Sequence, residues 1–322
     1  MYSYIDMHCD TLLQTLQEGS SLLYENNGMQ SLKLMREAQQ MCQFFAVFFP
    51  PRDEKRVPPL PPDEEFFHIL CENFYKEIKA HEDMVAIAHN YDEIMSNWQR
   101  GLASAVLTVE DGRIVAGRME NLRALYDQGV RAIALTWNFS NCFGYPNSKD
   151  VSIMEKGLTE FGKEALAEMN RLGILIDVSH LSDGGFYDVA RLGKKPFIAS
   201  HSNCRALTSH PRNMTDDMIR TLAEHGGVAG LNFYSEFINN RHDGISSIDD
   251  MVAHVLHLIK VGGEDCIGIG TDFDGIENVP EIAHPTQMSL LFEALEKKGV
   301  TPRQLDKLAS ENVLRVIKEA MR

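Results

Sequence analysis

Short apolar runs rich in β-forming residues recur along the chain, and the stretches between them have apolar residues at helical spacing. The runs that predict strands cover residues 4–8, 44–49, 103–109, 130–136, 174–178, 197–200, 228–233 and 266–271. The stretches that predict helices cover 63–81, 117–129, 159–172, 182–192, 215–226 and 247–261. Strands that alternate with helices indicate a parallel sheet, and eight strands in 322 residues favour one closed (β/α)8 barrel of the TIM type. A doubly wound open sheet is the alternative.

The whole chain, residues 1–322, is predicted to form a single domain. Hydrophobic residues make up 44% and charged residues 24% of the sequence, which is typical of a folded globular protein. The proline-rich segment 50–62 is predicted to be a stiff loop on the barrel rim, acting as a partial lid or an interface. Residues 301–322 are predicted to form one or two helices that close an end of the barrel.

Charge and cysteine content narrow the range of partners. With 31 basic and 46 acidic side chains, the net charge of −15 disfavours nucleic acid and anionic membrane surfaces. The N-terminus lacks a basic region followed by an apolar stretch, and no run approaches the roughly 18 apolar residues of a membrane span, so a cytoplasmic protein is predicted. The six cysteines are scattered without a Cys-x-x-Cys pair, which predicts reduced thiols.

Polar residues with metal-binding or acid–base chemistry follow five of the predicted strands. In a parallel barrel the carboxyl ends of the strands meet at one face, where the active sites of such folds collect. Surface residues scattered at random would not fall repeatedly at the ends of predicted strands. These residues are His8, Asp10, Glu110, His180, His201 and Asp272.

The spacing of these residues predicts a metal site. Side chains alternate along a strand, so His8 and Asp10 point to the same side. His180 and His201 end consecutive strands, and neighbouring parallel strands lie about 4.8 Å apart, near enough for both imidazoles to reach one ion. Glu110 offers a carboxylate able to bridge two ions. The sequence thus favours a dinuclear centre of zinc, with manganese, cobalt or iron as alternatives.

The other histidines are weaker candidates. His254 and His257 stand three apart on a predicted helix and share a face, but they lie away from every strand end. The histidines interpreted as ordinary surface or core residues are His68, His81, His89, His225, His242 and His284.

Seven motifs in order along nearly the whole chain resemble those of the membrane dipeptidase (renal dipeptidase) family of zinc peptidases, which belongs to the amidohydrolase-type barrels. They are D-M-H-C-D at 6–10, V-E-D-G at 109–112, I-D-V-S-H at 176–180, S-H-S-N at 200–203, P-R-N at 211–213, N-F-Y at 232–234 and G-T-D-F-D-G at 270–275. The resemblance implies two zinc ions per chain. It implies that His8 and Asp10 hold one ion, that His180 and His201 hold the other, and that Glu110 bridges them.

The resemblance also implies roles for residues outside the metal centre. Arg212 is expected to grip the carboxylate of the substrate, because a guanidinium matches a carboxylate in geometry and charge. Asp272 ends the eighth strand, where such barrels keep an acid–base carboxylate. Trp137 replaces a histidine that follows the fourth strand in mammalian members. Trp137, the neighbouring Asn138 and Tyr234 are expected to contact the substrate. Trp137 is equally consistent with core packing.

The resulting hypothesis is a zinc-dependent dipeptidase that cleaves the peptide bond with a metal-bridging hydroxide. Family members often accept a D-residue at the C-terminal position. A related dinuclear-metal hydrolase of amides, lactams or lactones is the alternative, because Trp137 stands where the family histidine is expected. A non-catalytic metal-binding barrel is the third hypothesis. The resemblance also suggests a homodimer.

Overall fold

Eight parallel strands close into a barrel in the computed structural model, which describes residues 2–17, 22–51 and 60–322. The strands are β1 Ile5–Cys9, β2 Cys42–Phe48, β3 Ala103–Glu110, β4 Val130–Ala134, β5 Leu175–Asp177, β6 Ile198–Ala199, β7 Val228–Leu231 and β8 Ile267–Ile269. Each strand pairs in parallel with the next along the chain. Closure comes from β8 beside β1, with Ile269 opposite Asp6. The predicted (β/α)8 barrel is confirmed, and the open sheet is wrong.

Helices on the outside of the barrel follow the strands. They are Thr11–Gln17, Leu32–Glu37, Asp63–Ala80, Tyr91–Gln99, Met119–Asp127, Val151–Met154, Glu160–Leu172, Asp183–Leu192, Asp216–Glu224, Ser235–Ile238, Ile248–Gly262, Ser289–Lys297, Pro302–Asp306 and Asn312–Ala320. Hydroxyl side chains fix several helix starts, because Thr159, Ser182, Thr215 and Ser247 each accept a backbone N–H three residues further on. The six predicted helices are confirmed to within two residues at each end.

Several short elements were absent from the sequence prediction. The strand Val85–Ile87 pairs with the first residues of β3. Two segments on the carboxyl side of the barrel, Ile245–Ser246 and Val279–Pro280, pair in parallel with each other. Elements of two or three residues carry too little periodicity to be read from a pattern.

The C-terminal segment packs against the amino-terminal end of the barrel, as predicted for residues 301–322. The helix Pro302–Asp306 continues through a π-helical turn, Lys307–Glu311, into Asn312–Ala320. The Asn312 amide donates hydrogen bonds to the carbonyls of Glu264 and Ile267. Buried residues of this segment and of the barrel strands form one hydrophobic cluster. It includes Val313, Val316 and Ile317 of the segment and Ile5, Met7, Phe44, Val106 and Leu175 of the strands.

Two further sequence predictions meet the structure here. All six cysteines are unpaired, as expected of reduced thiols. Most of the proline-rich segment 50–62 lies outside the described residues, so its placement on the rim stays a prediction. Among the residues that the structure does describe, none belongs to a helix long and apolar enough to cross a lipid bilayer.

Candidate metal centre

Six buried side chains meet at the carboxyl end of the barrel. Each comes from the end of a strand: β1, β3, β5, β6 or β8. All of them are at most 9% exposed, which removes them from bulk water although every one is polar or ionisable. Burial on this scale is costly unless the groups are paired or bind a cation. The residues are His8, Asp10, Glu110, His180, His201 and Asp272.

His8 faces three carboxylates. Its Nε2 lies 3.5 Å from Oε2 of Glu110 and 3.7 Å from Oδ1 of Asp272. Oδ1 of Asp10 is 3.8 Å from the same nitrogen. This half of the centre therefore offers one imidazole nitrogen and several carboxylate oxygens to a common point.

His180 and His201 form the other half of the centre. Their Nε2 atoms are 3.1 Å apart. Oε1 of Glu110 lies 3.0 Å from Nε2 of His180 and 3.5 Å from Nε2 of His201. Glu110 thus points one oxygen at this pair and the other at His8, which is the arrangement expected of a bridging carboxylate.

Hydrogen bonds behind the two imidazoles determine their tautomers. Nδ1 of His180 is 3.1 Å from Oδ1 of Asn138, which can only accept, so this Nδ1 carries the proton. Nδ1 of His201 is 2.7 Å from the Ser200 hydroxyl, and that hydroxyl donates its own proton to Asp177. Nδ1 of His201 must therefore donate as well. Both Nε2 atoms consequently present lone pairs to each other and to Glu110, which only a cation between them would make favourable.

Unpaired atoms support the same conclusion. Nε2 of His8 and Oδ1 of Asp10 are fully buried, and neither has a hydrogen-bonding partner in the part of the chain that the structure describes. Orphaned buried polar atoms are rare in native proteins and indicate a missing ion or ligand. Mixed imidazole and carboxylate donors suit zinc and the other divalent transition metals. The residues present therefore fit the predicted metal centre.

The pKa values of the carboxylates and imidazoles reflect burial and mutual contact. Burial raises the pKa of Asp10 to about 7, and neighbouring Glu110 adds to the shift. Burial also raises the pKa of Asp272 to about 6, although His8 opposes the change. Burial lowers the pKa of His180 to about 4, with Arg212 contributing. A neutral His180 is the form that binds a metal.

The local backbone geometry helps to position Asp272 in the centre. Asp272 has a φ of +64°, a region that non-glycine residues rarely adopt and that recurs at functional sites. The Asn232 amide donates a hydrogen bond of 2.9 Å to Oδ2 of Asp272. A Cβ placed on Gly275 would overlap carboxylate oxygens of both Asp10 and Asp272, so only glycine fits here. Asn232 and Gly275 lie within sequence motifs named above, but the sequence did not predict these roles.

Arg212 lies buried beside the centre. Its guanidinium donates to the Ser202 hydroxyl at 2.8 Å and to the His201 carbonyl at 3.1 Å. Its Nε has no hydrogen-bonding partner among the residues that the structure describes. In the described part of the chain no carboxylate forms an ion pair with it, and burial lowers its pKa to about 10. A buried cation with unused donors is suited to bind an anionic group of a ligand.

The remaining predicted contact residues occupy different places. The Trp137 ring contacts Phe48, with centroids 4.9 Å apart, and lies 6.1 Å from the His180 ring. Asn138 orients His180, as described above, although it was predicted as a substrate contact. Tyr234 packs edge-on against Phe237, and its backbone N–H bonds to Asn232.

The histidines that were not predicted as ligands lie elsewhere. His254 accepts from the Cys204 N–H and bonds to the Ile238 carbonyl. His257 pairs with Asp216. Among the described residues, the groupings of potential ligands that could hold a metal ion draw only on His8, Asp10, Glu110, His201 and Asp272.

Comparison with known proteins agrees with this geometry. The model of the membrane dipeptidase family (peptidase family M19) matches residues 2–322. An "uncharacterized dipeptidase" of Schizosaccharomyces pombe is 36% identical over 244 residues, which is 75% of this chain, and the match spans 59% of that relative's length.

Solved structures of the same kind superimpose along the whole chain. One is described as dipeptidase AC, a metallo peptidase of family M19, with 29% identity and a TM-score of 0.89, covering 99% of this chain and 98% of the other. A metallo peptidase from Rhodobacter sphaeroides, liganded with a phosphinate mimic of the dipeptide L-Ala-D-Ala, has 28% identity, a TM-score of 0.89 and 99% coverage of both chains. These matches confirm the resemblance found in the sequence. The chain belongs to the membrane dipeptidase family of metallo-dipeptidases, peptidase family M19.

Proposed function

We propose that this protein hydrolyses dipeptides with a free C-terminal carboxylate and that two divalent ions, zinc in preference, are its cofactors. The observation that carries the proposal is the buried centre itself, in which Nε2 of His8 and Oδ1 of Asp10 have no hydrogen-bonding partner among the described residues. Family membership supports the substrate class, since the relatives above are dipeptidases. A C-terminal D-residue is included, because the Rhodobacter sphaeroides relative binds a mimic of L-Ala-D-Ala.

The five predicted ligands divide naturally between two ions. His8 and Asp10 would hold one ion, His180 and His201 the other, and Glu110 would give one oxygen to each. Two bound ions of this kind acidify water and polarise the scissile carbonyl, so that the attack can occur at neutral pH.

Asp272 is the proposed acid–base group. Its Oδ2 is held by Asn232 and its Oδ1 faces the ligand side of the centre, so the carboxylate is fixed in direction. It would accept a proton from the attacking water and deliver it to the leaving amine.

Arg212 is proposed to bind the carboxylate of the C-terminal residue. Its guanidinium is already held by Ser202 and the His201 carbonyl, so binding would cost little ordering of the side chain. We therefore expect amidated dipeptides to have kcat/KM values at least about tenfold lower than free dipeptides, since a charged hydrogen bond contributes about 1.5–3 kcal/mol. Equal rates for the two forms would exclude this role.

The experiment that tests the proposal is a substrate panel with the zinc-loaded protein. L,L and L,D dipeptides, their amidated forms, a lactam and a lactone would be compared before and after chelation. Chelator-sensitive cleavage of free dipeptides is expected. Trp137, which stands in place of the family histidine, favours a lactam or lactone hydrolase as the alternative; cleavage of those compounds alone would establish it.

A further inference from the structure

A cavity of about 330 Å³ opens directly beside the metal centre. Its walls come from the segments that follow β1, β2, β4 and β8. Asp10 belongs both to the cavity wall and to the centre, so a ligand at the metals has direct access to this space. The volume lies at the lower end of the roughly 300–1,000 Å³ found for small-molecule sites.

Residues of two chemical kinds line the cavity. Phe48 and Trp137 supply aromatic surface, and Leu13 and Ile276, each 8% exposed, supply aliphatic surface. Asp10, Asp274 and Glu277 add carboxylates to the lining, but Asp10 belongs to the metal centre and Asp274 already accepts hydrogen bonds from Thr11 and the Met29 N–H. The aromatic and aliphatic surface is therefore complementary to an apolar side chain.

The position of Arg212 fixes the direction of a bound dipeptide. Arg212 follows β6 and contacts residues that precede β7, since it bonds to Ser202 and the His201 carbonyl. The cavity is lined by residues of the segments at the carboxyl ends of β8, β1, β2 and β4, and Arg212 is not among them. With the C-terminal carboxylate at Arg212 and the scissile carbonyl at the metals, only the N-terminal residue remains for the cavity.

We propose that this cavity is the subsite for the N-terminal residue and that it selects large apolar side chains, aromatic ones above all. The inference rests on the proposed dipeptidase function. The aromatic and aliphatic walls would bury the side chain. Trp137 therefore acts as a specificity-determining residue in this chain.

The test compares two matched series of dipeptides with the zinc-loaded protein: Gly-Ala, Leu-Ala and Phe-Ala, and then Ala-Gly, Ala-Leu and Ala-Phe. For the wild type, kcat/KM is expected to be about 10- to 200-fold higher for Phe-Ala than for Gly-Ala. Trp137→Ala is expected to reduce that ratio about tenfold, and Trp137→Leu to reduce it less. Ile276→Phe, which puts a larger side chain into the cavity wall, is expected to slow Phe-Ala more than Gly-Ala.

Phe139→Ala is the matched control. Phe139 contacts Trp137, with ring centroids 5.8 Å apart, but it is 53% exposed and does not line the cavity. The Phe-Ala to Gly-Ala ratio should stay at the wild-type value in this variant. Thermal unfolding of each variant shows whether it is folded, and Trp137→Leu or Ile276→Phe decides the question if Trp137→Ala is not.

Different results would overturn the subsite and the dipeptidase function. Cleavage of dipeptides with no dependence on the N-terminal side chain, or a Trp137 substitution that affects only the Ala-Xaa series, would overturn the subsite and leave the dipeptidase function in place. Absence of cleavage of every dipeptide by metal-loaded, folded wild type would overturn the proposed function and the subsite with it.

Discussion

Nε2 of His8 lies 3.5 to 3.8 Å from three carboxylate oxygens and has no hydrogen-bonding partner within residues 2–17, 22–51 and 60–322. At the scale of single residues, the sequence could predict these groups because a strand-end position fixes where a side chain points. It could not predict the contacts behind them. The bond from His180 to Asn138 and the chain from His201 through Ser200 to Asp177 depend on loop geometry that no local pattern records.

Replacing Asp272 tests the acid–base assignment. Asp272→Asn keeps the size of the side chain and its contact with Asn232 but replaces the basic carboxylate with a neutral amide. We expect kcat for a free dipeptide to fall by about 10²- to 10⁴-fold, the usual contribution of general acid–base catalysis, while both ions stay bound. Steady-state kinetics and elemental analysis of the same sample check this. Wild-type turnover in the variant would remove Asp272 from the mechanism.

Gly275→Ala tests how closely the backbone must approach the centre. The new Cβ would displace the carboxylates of Asp10 and Asp272, so metal affinity should fall about 10- to 100-fold, as it does when the surroundings of metal ligands are disturbed. Gly144→Ala is the control. The nearest atom to its new Cβ would be the end of the Leu158 side chain, at 3.3 Å, and its other contacts would be at ordinary van der Waals distances. Metal-binding titration distinguishes them. Similar affinities for both variants would contradict the steric argument.

At the scale of elements, the helical spacing of apolar residues located the long helices, but the short connections needed the structure. The helix Ile248–Gly262 shows the limit of pattern reading. His254 and His257 lie on one face of this helix, so the sequence alone leaves them as a possible pair of metal ligands. In the structure His254 instead joins three segments, since it accepts from the Cys204 N–H and bonds to the Ile238 carbonyl.

This role of His254 predicts a pH-dependent stability. Burial lowers its pKa to about 4, whereas an unfolded histidine titrates near 6.5. Between these values the unfolded state binds the extra proton, so the free energy of unfolding must decrease as the pH falls from about 6.5 to about 4. From pH 7 to pH 5 the wild type should lose about 2 kcal/mol more than His254→Gln in urea unfolding. Equal losses would show that His254 is not buried as a neutral group.

At the scale of the whole molecule, closure of the barrel is what brings the centre together. His8 and Asp272 are separated by most of the chain, yet they meet because β8 pairs with β1. Eight strand-like runs predicted this closure, and the C-terminal helix Asn312–Ala320 packs on the amino-terminal end as expected. The homodimer and the cytoplasmic location stay predictions, because association and location depend on surfaces and signals that a fold pattern does not encode.

The metal content of the purified protein tests the central claim most directly. Elemental analysis should find close to two zinc ions, or an equivalent divalent metal, per chain, and a double variant, His180→Ala with His201→Ala, should retain no more than one. Two ions in the wild type with one lost in this variant would establish the dinuclear centre. A wild-type chain that binds no divalent metal when supplied with it would contradict both the metal centre and the dipeptidase function that depends on it.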